Sequence, residues 1–245
     1  MNALVGHTGA ELRLYVRDKT VVLFSLFFPV ITVVFFGYLN RGGQVGTVSY
    51  ASFLIAGGIG MVVTSAAFQN LSAALARQRD AGILKRVGGT PLRVRTLVGA
   101  KLLVAAAVIL AQTAVLITVN VVLFQAQLGG NLFWTLVVLT LGIVTFSTMG
   151  IALAGFCRNA EVAAAAGVAV ALPMQFLCGT LFPLQDMPSV LRHLAHVLPL
   201  TYFVDALRVT MLGGGSAADV AKNGLVLVAC LAVAFPVAVK TFRWE

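Results

Sequence analysis

Residues 132–156 read LFWTLVVLTLGIVTFSTMGIALAGF and contain no Asp, Glu, Lys or Arg. An α-helix needs roughly 20 mostly apolar residues to cross about 30 Å of hydrocarbon, and unpaired backbone groups cannot be left in lipid. This run is therefore long and apolar enough to span a membrane as a helix. Similar runs recur along the chain and predict six transmembrane helices. They cover residues 21–39, 51–75, 97–124, 132–156, 161–181 and 222–240.

The overall composition also indicates a membrane protein. The 245 residues are 60% hydrophobic and only 10% charged, with a mean hydropathy of +0.98, whereas roughly a quarter of the residues of a soluble domain are charged. This argues against a soluble fold. No long polar insert separates the apolar runs, so we expect residues 1–245 to form a single all-α integral membrane domain.

The charge distribution predicts the orientation of the chain. The 17 Lys and Arg against 8 Asp and Glu give a net charge of +9. Basic loops beside transmembrane helices stay in the cytoplasm and contact anionic lipid, so the excess indicates topology and not a nucleic-acid partner. The sequence predicts a multi-pass protein of the cell membrane with both termini in the cytoplasm. Few basic residues then fall outside, namely Arg41, Arg192, Arg208 and Lys222.

The N-terminal arm, residues 1–20, has the pattern of an amphipathic helix. Thr8 and Glu11 have the spacing of a capping box, which satisfies two free amides at a helix start. Apolar side chains then share one face, while Arg13 and Arg17 share another. This pattern favours a helix lying in the inner membrane interface over a frayed cytosolic tail.

The loop between the second and third predicted spans, residues 77–95, concentrates basic residues. Residues 77–87 are compatible with a helix, a break follows at residues 88–89, and Pro91 can begin the next helix. Two interpretations remain open: a contact surface for a cytosolic partner, or a solvated basic run that only fixes the orientation. The first would use an apolar face of the short helix, which is formed by Ile83, Leu84 and Val87.

Residues 179–215, between the fifth and sixth predicted spans, are too apolar for an exposed loop and too interrupted to cross the bilayer. Pro188 can begin a helix that Pro199 ends, and a second helix over about residues 200–212 is stopped by three glycines. We expect two short amphipathic helices that re-enter the outer leaflet. Non-helical backbone at that depth is tolerated only inside protein or along a cavity, so this segment should border a pathway.

The interiors of the second to fourth predicted spans carry only neutral polar groups. Thr64, Ser65 and Gln69 lie in the second span, and Thr113 and Asn120 share one face of the third. They could line a substrate pathway, or they could make interhelical hydrogen bonds that hold the bundle together. A pathway without fixed charge suits small ions poorly. It favours amphipathic drugs, lipids or polyketide-like molecules.

The remaining charged residues suggest local pairs and no catalytic chemistry. Asp205 and Arg208 lie at i and i+3 and should pair. Glu161 could pair with Arg158 or stabilise the start of its own helix. The three cysteines are odd in number and form no disulfide framework, and two histidines on the outer segment lack a third ligand for a metal. We predict no catalytic residues, no metal site and no cofactor in this chain.

Residues 181–208 read LFPLQDMPSVLRHLAHVLPLTYFVDALR. A Phe-Pro element, a Met-Pro turn, a Pro-Leu-Thr-Tyr element and an Asp-Ala-Leu-Arg element follow in an order that resembles the signature of ABC-2-type transporter permeases. Six spans with cytoplasmic termini match this family as well, so the resemblance covers essentially the whole chain. The outer residues that it singles out are Phe182, Pro183, Pro188, Pro199, Tyr202, Asp205 and Arg208.

The basic loop is similar to the cytoplasmic coupling helix of the same permeases. They commonly carry a Glu just before the loop glycine, whereas here Ala81 precedes Gly82 and Asp80 stands one position earlier. Asp80 could therefore supply that charge. The residues implied in ATPase coupling are Arg79, Asp80, Gly82, Ile83, Leu84, Lys85, Arg86 and Pro91.

The chain contains no phosphate loop of the GxxxxGK[ST] form, so it is not predicted to hydrolyse ATP itself. The resemblance implies two separate ABC ATPase subunits that bind ATP and Mg. It also implies a second permease, identical or homologous, and export of an amphipathic substrate through the lipid membrane.

Two alternatives belong to other classes of protein. An ion-gradient-driven secondary transporter would carry carboxylates near the middle of the bilayer and an internal repeat. A non-transporting assembly protein would not need the coupling loop.

Overall fold

In a computed structural model of the protein, the described part of the chain covers residues 3–88, 94–213 and 215–241. The fold is a bundle of α-helices joined mostly by short connections. The α-helices are α1 (Ala3–Arg17), α2 (Lys19–Leu39), α3 (Tyr50–Val63), α4 (Leu71–Asp80), α5 (Ile83–Gly88), α6 (Val94–Phe124), α7 (Leu132–Phe156), α8 (Ala160–Leu177), α9 (Ser189–Val197), α10 (Pro199–Arg208) and α11 (Ala217–Thr241).

Six helical stretches in the described residues are long and apolar enough to cross a membrane, which confirms the predicted number. We call them spans 1 to 6. Span 2 is the continuous stretch Tyr50–Asp80, which joins α3, a π-helical segment and α4. The others are α2 (span 1), Thr96–Phe124 of α6 (span 3), α7 (span 4), α8 (span 5) and α11 (span 6). The end of the bundle where span 1 begins and span 6 ends is the inner end.

Three spans differ from the prediction by four or five residues at one end. Span 2 continues to Asp80 instead of residue 75, and the other two differ for local reasons. Span 5 stops at Leu177 instead of residue 181, because Gly179 has a φ of +69° and turns the chain away. Span 6 begins at Ala217 instead of residue 222, because the Ser216 hydroxyl accepts a hydrogen bond from the Asp219 amide at 3.3 Å and caps the helix.

Span 2 forms the core of the bundle. Every residue of α3 is buried, whereas α2 and α11 bury few of their side chains. The absence of a side chain at Gly57 lets α3 approach the backbone of Thr180, because a Cβ atom at Gly57 would overlap the Thr180 carbonyl. Span 2 therefore packs directly against the start of residues 179–215, which we call the outer segment.

Span 4 links the core to both span 6 and the outer segment. It packs along α11 and also contacts α10. The Phe203 ring of α10 fits against Gly142 and meets Phe146 edge to face, with ring centroids 5.8 Å apart. This aromatic packing fixes the outer segment on the bundle.

The outer segment contains the two short helices that the sequence predicts. Pro188 directly precedes α9, and Pro199 is the first residue of α10. Most of α10 is buried while α9 is largely exposed. The Tyr202 hydroxyl donates to the His196 carbonyl at 2.7 Å, which ties the two helices together.

Two features depart from the predicted all-helical pattern of regular α-helices. Gln44–Val45 and Val48–Ser49 pair as a short antiparallel ribbon between spans 1 and 2. Thr64–Asn70 forms a π-helix in the middle of span 2, and Val209–Gly213 continues α10 as another. Such segments insert an extra residue into a helical turn and shift the faces that follow.

Candidate coupling site at the inner end of the bundle

The basic loop that the sequence analysis associates with coupling leaves span 2 at a sharp break. The Gly82 amide donates to the Arg79 carbonyl at 2.8 Å, and Gly82 has a φ of +67°, a conformation that costs a residue with a Cβ atom free energy. The predicted single helix over residues 77–87 is therefore wrong: α4 ends at Asp80, and α5 begins afresh at Ile83 and runs through Gly88.

Arg79 turns toward the bundle instead of away from it. Its guanidinium donates to the Ala154 carbonyl at 3.1 Å and to the Cys157 carbonyl at 2.7 Å. These carbonyls lie at the end of α7, where helical carbonyls lack internal partners and attract a positive charge. Arg79 thus fastens the inner end of span 2 to the inner end of span 4.

Asp80 reaches the next helix along. Its carboxylate accepts a hydrogen bond from the Ala160 amide at 2.7 Å, at the start of span 5, and lies 3.8 Å from the Arg79 guanidinium. A carboxylate is stabilised at a helix N-terminus by the free amides and the helix dipole. We call Arg79 and Asp80 the clamp, because together they join span 2 to the adjacent ends of spans 4 and 5.

The short helix α5 has one inward and several outward residues. Leu84 is 2% exposed and packs beside Leu75 at the end of span 2. In contrast, Ile83, Lys85 and Arg86 are exposed. Pro91 lies outside the described residues. The arrangement anchors α5 through one side chain and presents an apolar and a basic side chain on its outer surface.

The N-terminal helix is fixed to this site by a carboxylate. Glu11 lies 3.0 Å from the ammonium group of Lys101 and accepts from the Gln78 amide at 3.1 Å, so it links α1 to spans 2 and 3. The capping-box prediction is wrong, because α1 already runs from Ala3 and places Thr8 and Glu11 inside the helix. Lys101 lies within the apolar run of span 3, and a charged residue in such a run indicates a buried partner of opposite charge. This signal could have predicted the contact with Glu11.

A cavity of about 340 Å³ lies between α1, span 2 and span 3. Apolar side chains line most of it, and Tyr15 lies on its wall. The Tyr15 hydroxyl is 3.0 Å from the Ser25 hydroxyl, and Gln112 donates to the same Ser25 at 2.9 Å. Burial raises the pKa of the Tyr15 hydroxyl above its usual value. The inner cavity therefore combines a largely apolar lining with the charged residues Glu11, Asp18, Arg77 and Lys101.

The predicted pathway residues lie in the core of the single chain. Thr64, Ser65, Thr113 and Asn120 are buried, and Gln69 is half-buried. Asn120 donates to the Leu116 carbonyl at 2.9 Å and its side-chain oxygen is buried without a partner. Ser65 and Gln69 fall within the π-helix, so their four-residue spacing does not place them on one α-helical face. The burial of these five side chains thus agrees with hydrogen bonds that hold the bundle together as well as with a substrate pathway.

The predicted pair on the outer segment is present. Arg208 lies 3.0 Å from the Asp205 carboxylate, donates to the Gly179 carbonyl and stacks over the Phe53 ring at 3.8 Å. Burial lowers the pKa of Arg208 to about 10 and raises that of Asp205, and the mutual attraction opposes both changes. Arg208 therefore connects α10 to the core and to the end of span 5.

Phe182 and Pro183 lie at the start of the outer segment. The Phe182 ring meets Phe36 of span 1 edge to face at 5.4 Å, and Pro183 precedes the short 3₁₀ turn Leu184–Asp186.

Glu161 lies in the first turn of α8, where its charge stabilises the helix start. No group of metal-ligating side chains occurs within the described residues.

Six helices long and apolar enough to cross a membrane define a polytopic α-helical membrane protein. A family model described as "ABC-2 type transporter" matches residues 7–212, so the chain belongs to this family. Its members are membrane subunits that lack a nucleotide-binding domain. The resemblance noted in the sequence is therefore confirmed, as is a multi-pass membrane protein.

Characterised relatives agree with this assignment. Nodulation protein J of Neorhizobium galegae is 30% identical over 176 residues, 70% of this chain and 65% of that protein. Nodulation protein J of Bradyrhizobium diazoefficiens is 31% identical over 71% of this chain and 66% of its own length. The probable multidrug ABC transporter permease YbhR of Escherichia coli is 25% identical over 72% of this chain and 48% of its own length. The matched part thus spans just under two thirds of the nodulation proteins and about half of YbhR.

Proposed function

We propose that this chain is the permease subunit of an ATP-driven exporter, in which a separate ABC ATPase docks on α5 and moves the spans through the clamp. The observation that carries the proposal is the pair of contacts made by Arg79 and Asp80 with the ends of spans 4 and 5. A loop that served only to fix orientation would not need to grip two other helices.

The geometry suggests how force enters the bundle. α5 is anchored by Leu84 and exposes Ile83 and Arg86 on its outer surface. Gly82 can change its backbone angles at little cost, so a push on α5 can pivot there. Because the clamp holds spans 2, 4 and 5 at one point, movement of the loop displaces all three inner ends together. The departure of Asp80 from the family pattern then has a role inside the permease instead of at the ATPase surface.

The assembly follows from the family. Two permeases, identical or homologous, would pair in the membrane with two ATPases that bind ATP and Mg on the cytoplasmic side. The exposed apolar faces of spans 1 and 6 are available for lipid and for a second permease. The basic loop lies at the same end of the bundle as the start of span 1 and the end of span 6. Because basic loops stay in the cytoplasm, this supports cytoplasmic termini.

An amphipathic or hydrophobic substrate fits the polar groups of the described spans best. Thr64, Ser65, Gln69, Thr113 and Asn120 are neutral, and the inner cavity pairs an apolar lining with a few charged side chains, so amphipathic molecules that are drug-like, lipid-like or polyketide-like match better than ions. The description of YbhR as a probable multidrug permease supports this class.

Co-purification with the ATPase encoded beside this chain, followed by ATP hydrolysis assays with amphipathic compounds in lipid, tests the proposal. We expect a stable complex whose hydrolysis is stimulated by substrate, and loss of that complex when Lys85 and Arg86 are both changed to Glu. Intact export by the charge-reversed variant, or an export driven by an ion gradient without any ATPase, would refute the exporter model.

A further inference from the structure

A second pocket, of about 490 Å³, opens at the inner end beside the clamp. It lies where the end of span 4, the start of span 5 and the end of span 6 meet the end of span 2. Three of its eight lining residues are basic. The lining residues are Arg79, Asp80, Gly155, Phe156, Cys157, Arg158, Lys240 and Thr241.

The charges in this pocket divide into those already in use and those that are not. Arg79 donates to two carbonyls, and Asp80 accepts the Ala160 amide. Arg158 and Lys240 are both exposed and make no hydrogen bond or ion pair with any part of the chain that the structure describes. The pocket therefore offers two cations, Arg158 from the connection between spans 4 and 5 and Lys240 from span 6, and its one carboxylate already accepts a hydrogen bond.

Exposed apolar side chains flank these two cations. The Phe156 side chain beside them is 69% exposed, and Val239, which precedes Lys240, is 62% exposed. Large apolar side chains with this exposure at the end of a transmembrane helix face lipid tails. A ligand that fills the pocket must accordingly present an anionic group to Arg158 and Lys240 and an apolar chain to Phe156.

We propose that this pocket binds the phosphate head group of an anionic phospholipid from the leaflet at the inner end. Basic pockets between transmembrane helices on the cytoplasmic side hold such head groups by charge, and lysine and arginine near the membrane surface each add attraction. Arg79 and Asp80 line the same pocket, so the bound head group touches the clamp. The site is separate from the outer surface of α5, where the ATPase is proposed to dock.

Lipid retention by the purified full-length chain tests this site. The protein is equilibrated with mixed micelles of phosphatidylglycerol or phosphatidylcholine, and the retained lipid is counted by native mass spectrometry. The wild type should retain phosphatidylglycerol in preference to phosphatidylcholine. The double variant Arg158→Gln with Lys240→Gln should lower phosphatidylglycerol retention on the order of tenfold.

The double variant Arg41→Gln with Lys222→Gln is the matched control. It removes the same charge from two exposed residues near the opposite ends of spans 1 and 6, and it should retain phosphatidylglycerol as the wild type does. Equal loss in both double variants would show a general charge effect and overturn the proposal. Both double variants should unfold at the same temperature as the wild type, which establishes that they are folded.

Two further arms separate other occupants. If millimolar inorganic phosphate displaces phosphatidylglycerol from the wild type, the site recognises free phosphate and the lipid assignment fails. If the Arg158 and Lys240 variant retains phosphatidylglycerol but no longer captures the ATPase, the surface belongs to the partner protein and the proposal is likewise overturned. Loss of lipid with undiminished ATPase capture supports it.

Discussion

Single charged residues at the inner end act mainly on the chain itself. Arg79, Asp80 and Glu11 all reach a helix other than their own, and Lys101 is 4% exposed beside Glu11. Sequence patterns predicted which basic residues belong to the loop. They could not show which of these turn inward, because the partners lie 67 to 90 positions away in the chain.

Removal of the Arg79 guanidinium should weaken the link between spans 2 and 4. Arg79→Ala leaves the Ala154 and Cys157 carbonyls without their donor, and hydrogen bonds from a charged group are worth about 2 kcal/mol. We expect a lower unfolding temperature in lipid nanodiscs and loss of substrate-stimulated ATP hydrolysis. Arg77→Ala is the control, since Arg77 is exposed. Equal behaviour of the two variants would contradict the role of the clamp.

The Glu11–Lys101 pair should behave as a buried ion pair. Glu11→Gln leaves the Lys101 ammonium group uncompensated and should destabilise the fold by about 3 kcal/mol. Adding Lys101→Met removes that charge and should restore most of the lost stability, because replacing both partners of a buried pair is often nearly neutral. The measurement is thermal unfolding of the two single variants and the double variant. Additive losses would show that the two side chains do not interact.

At the scale of elements, the sequence predicted the helices well and their irregularities poorly. Long apolar runs sufficed for six spans, and proline positions located α9 and α10. The break at Gly82 was missed, because a glycine pair is a stronger local signal than a single glycine, whereas α5 does end at Gly88, where the sequence predicts a break. The π-helix Thr64–Asn70 has no local signal, since the packing around span 2 decides it.

Gly82 provides a test of the pivot. Gly82→Ala places a Cβ atom on a residue with a φ of +67° and should cost about 1 kcal/mol, with a lower rate of substrate-stimulated ATP hydrolysis in the assembled transporter. Gly224→Ala is the matched control, because it lies inside α11 with open space around it. The control should match or slightly exceed the wild type in stability. A fully active Gly82→Ala transporter would exclude a pivot at this residue.

Close packing between span 2 and the outer segment gives a second test at this scale. A Cβ atom at Gly57 would overlap the Thr180 carbonyl, and backbone cannot yield as a flexible side chain does. We expect Gly57→Ala to reduce the yield of folded protein sharply, measured by size-exclusion chromatography in detergent. A yield equal to that of Gly224→Ala would mean that the two backbones lie further apart than in this structure.

At the scale of the whole molecule, a buried core carries exposed apolar side chains on its outermost helices, spans 1 and 6. The α3 half of span 2 is fully buried within the bundle, and the clamp ties the inner end of span 2 to spans 4 and 5. Spans 1 and 6 leave apolar faces uncovered, as expected of a subunit that meets lipid or a second permease. The central claim is that a separate ATPase delivers force to this bundle through α5.

Site-directed photo-crosslinking tests that claim most directly. A photoreactive amino acid replaces Ile83, which is 42% exposed on α5, or Val190, which is 69% exposed on α9 at the other end of the bundle. In membranes that contain the ATPase, illumination should crosslink the ATPase to the chain modified at position 83 and not to the one modified at position 190. Absence of a crosslink at position 83, or equal crosslinking at both positions, would contradict the account.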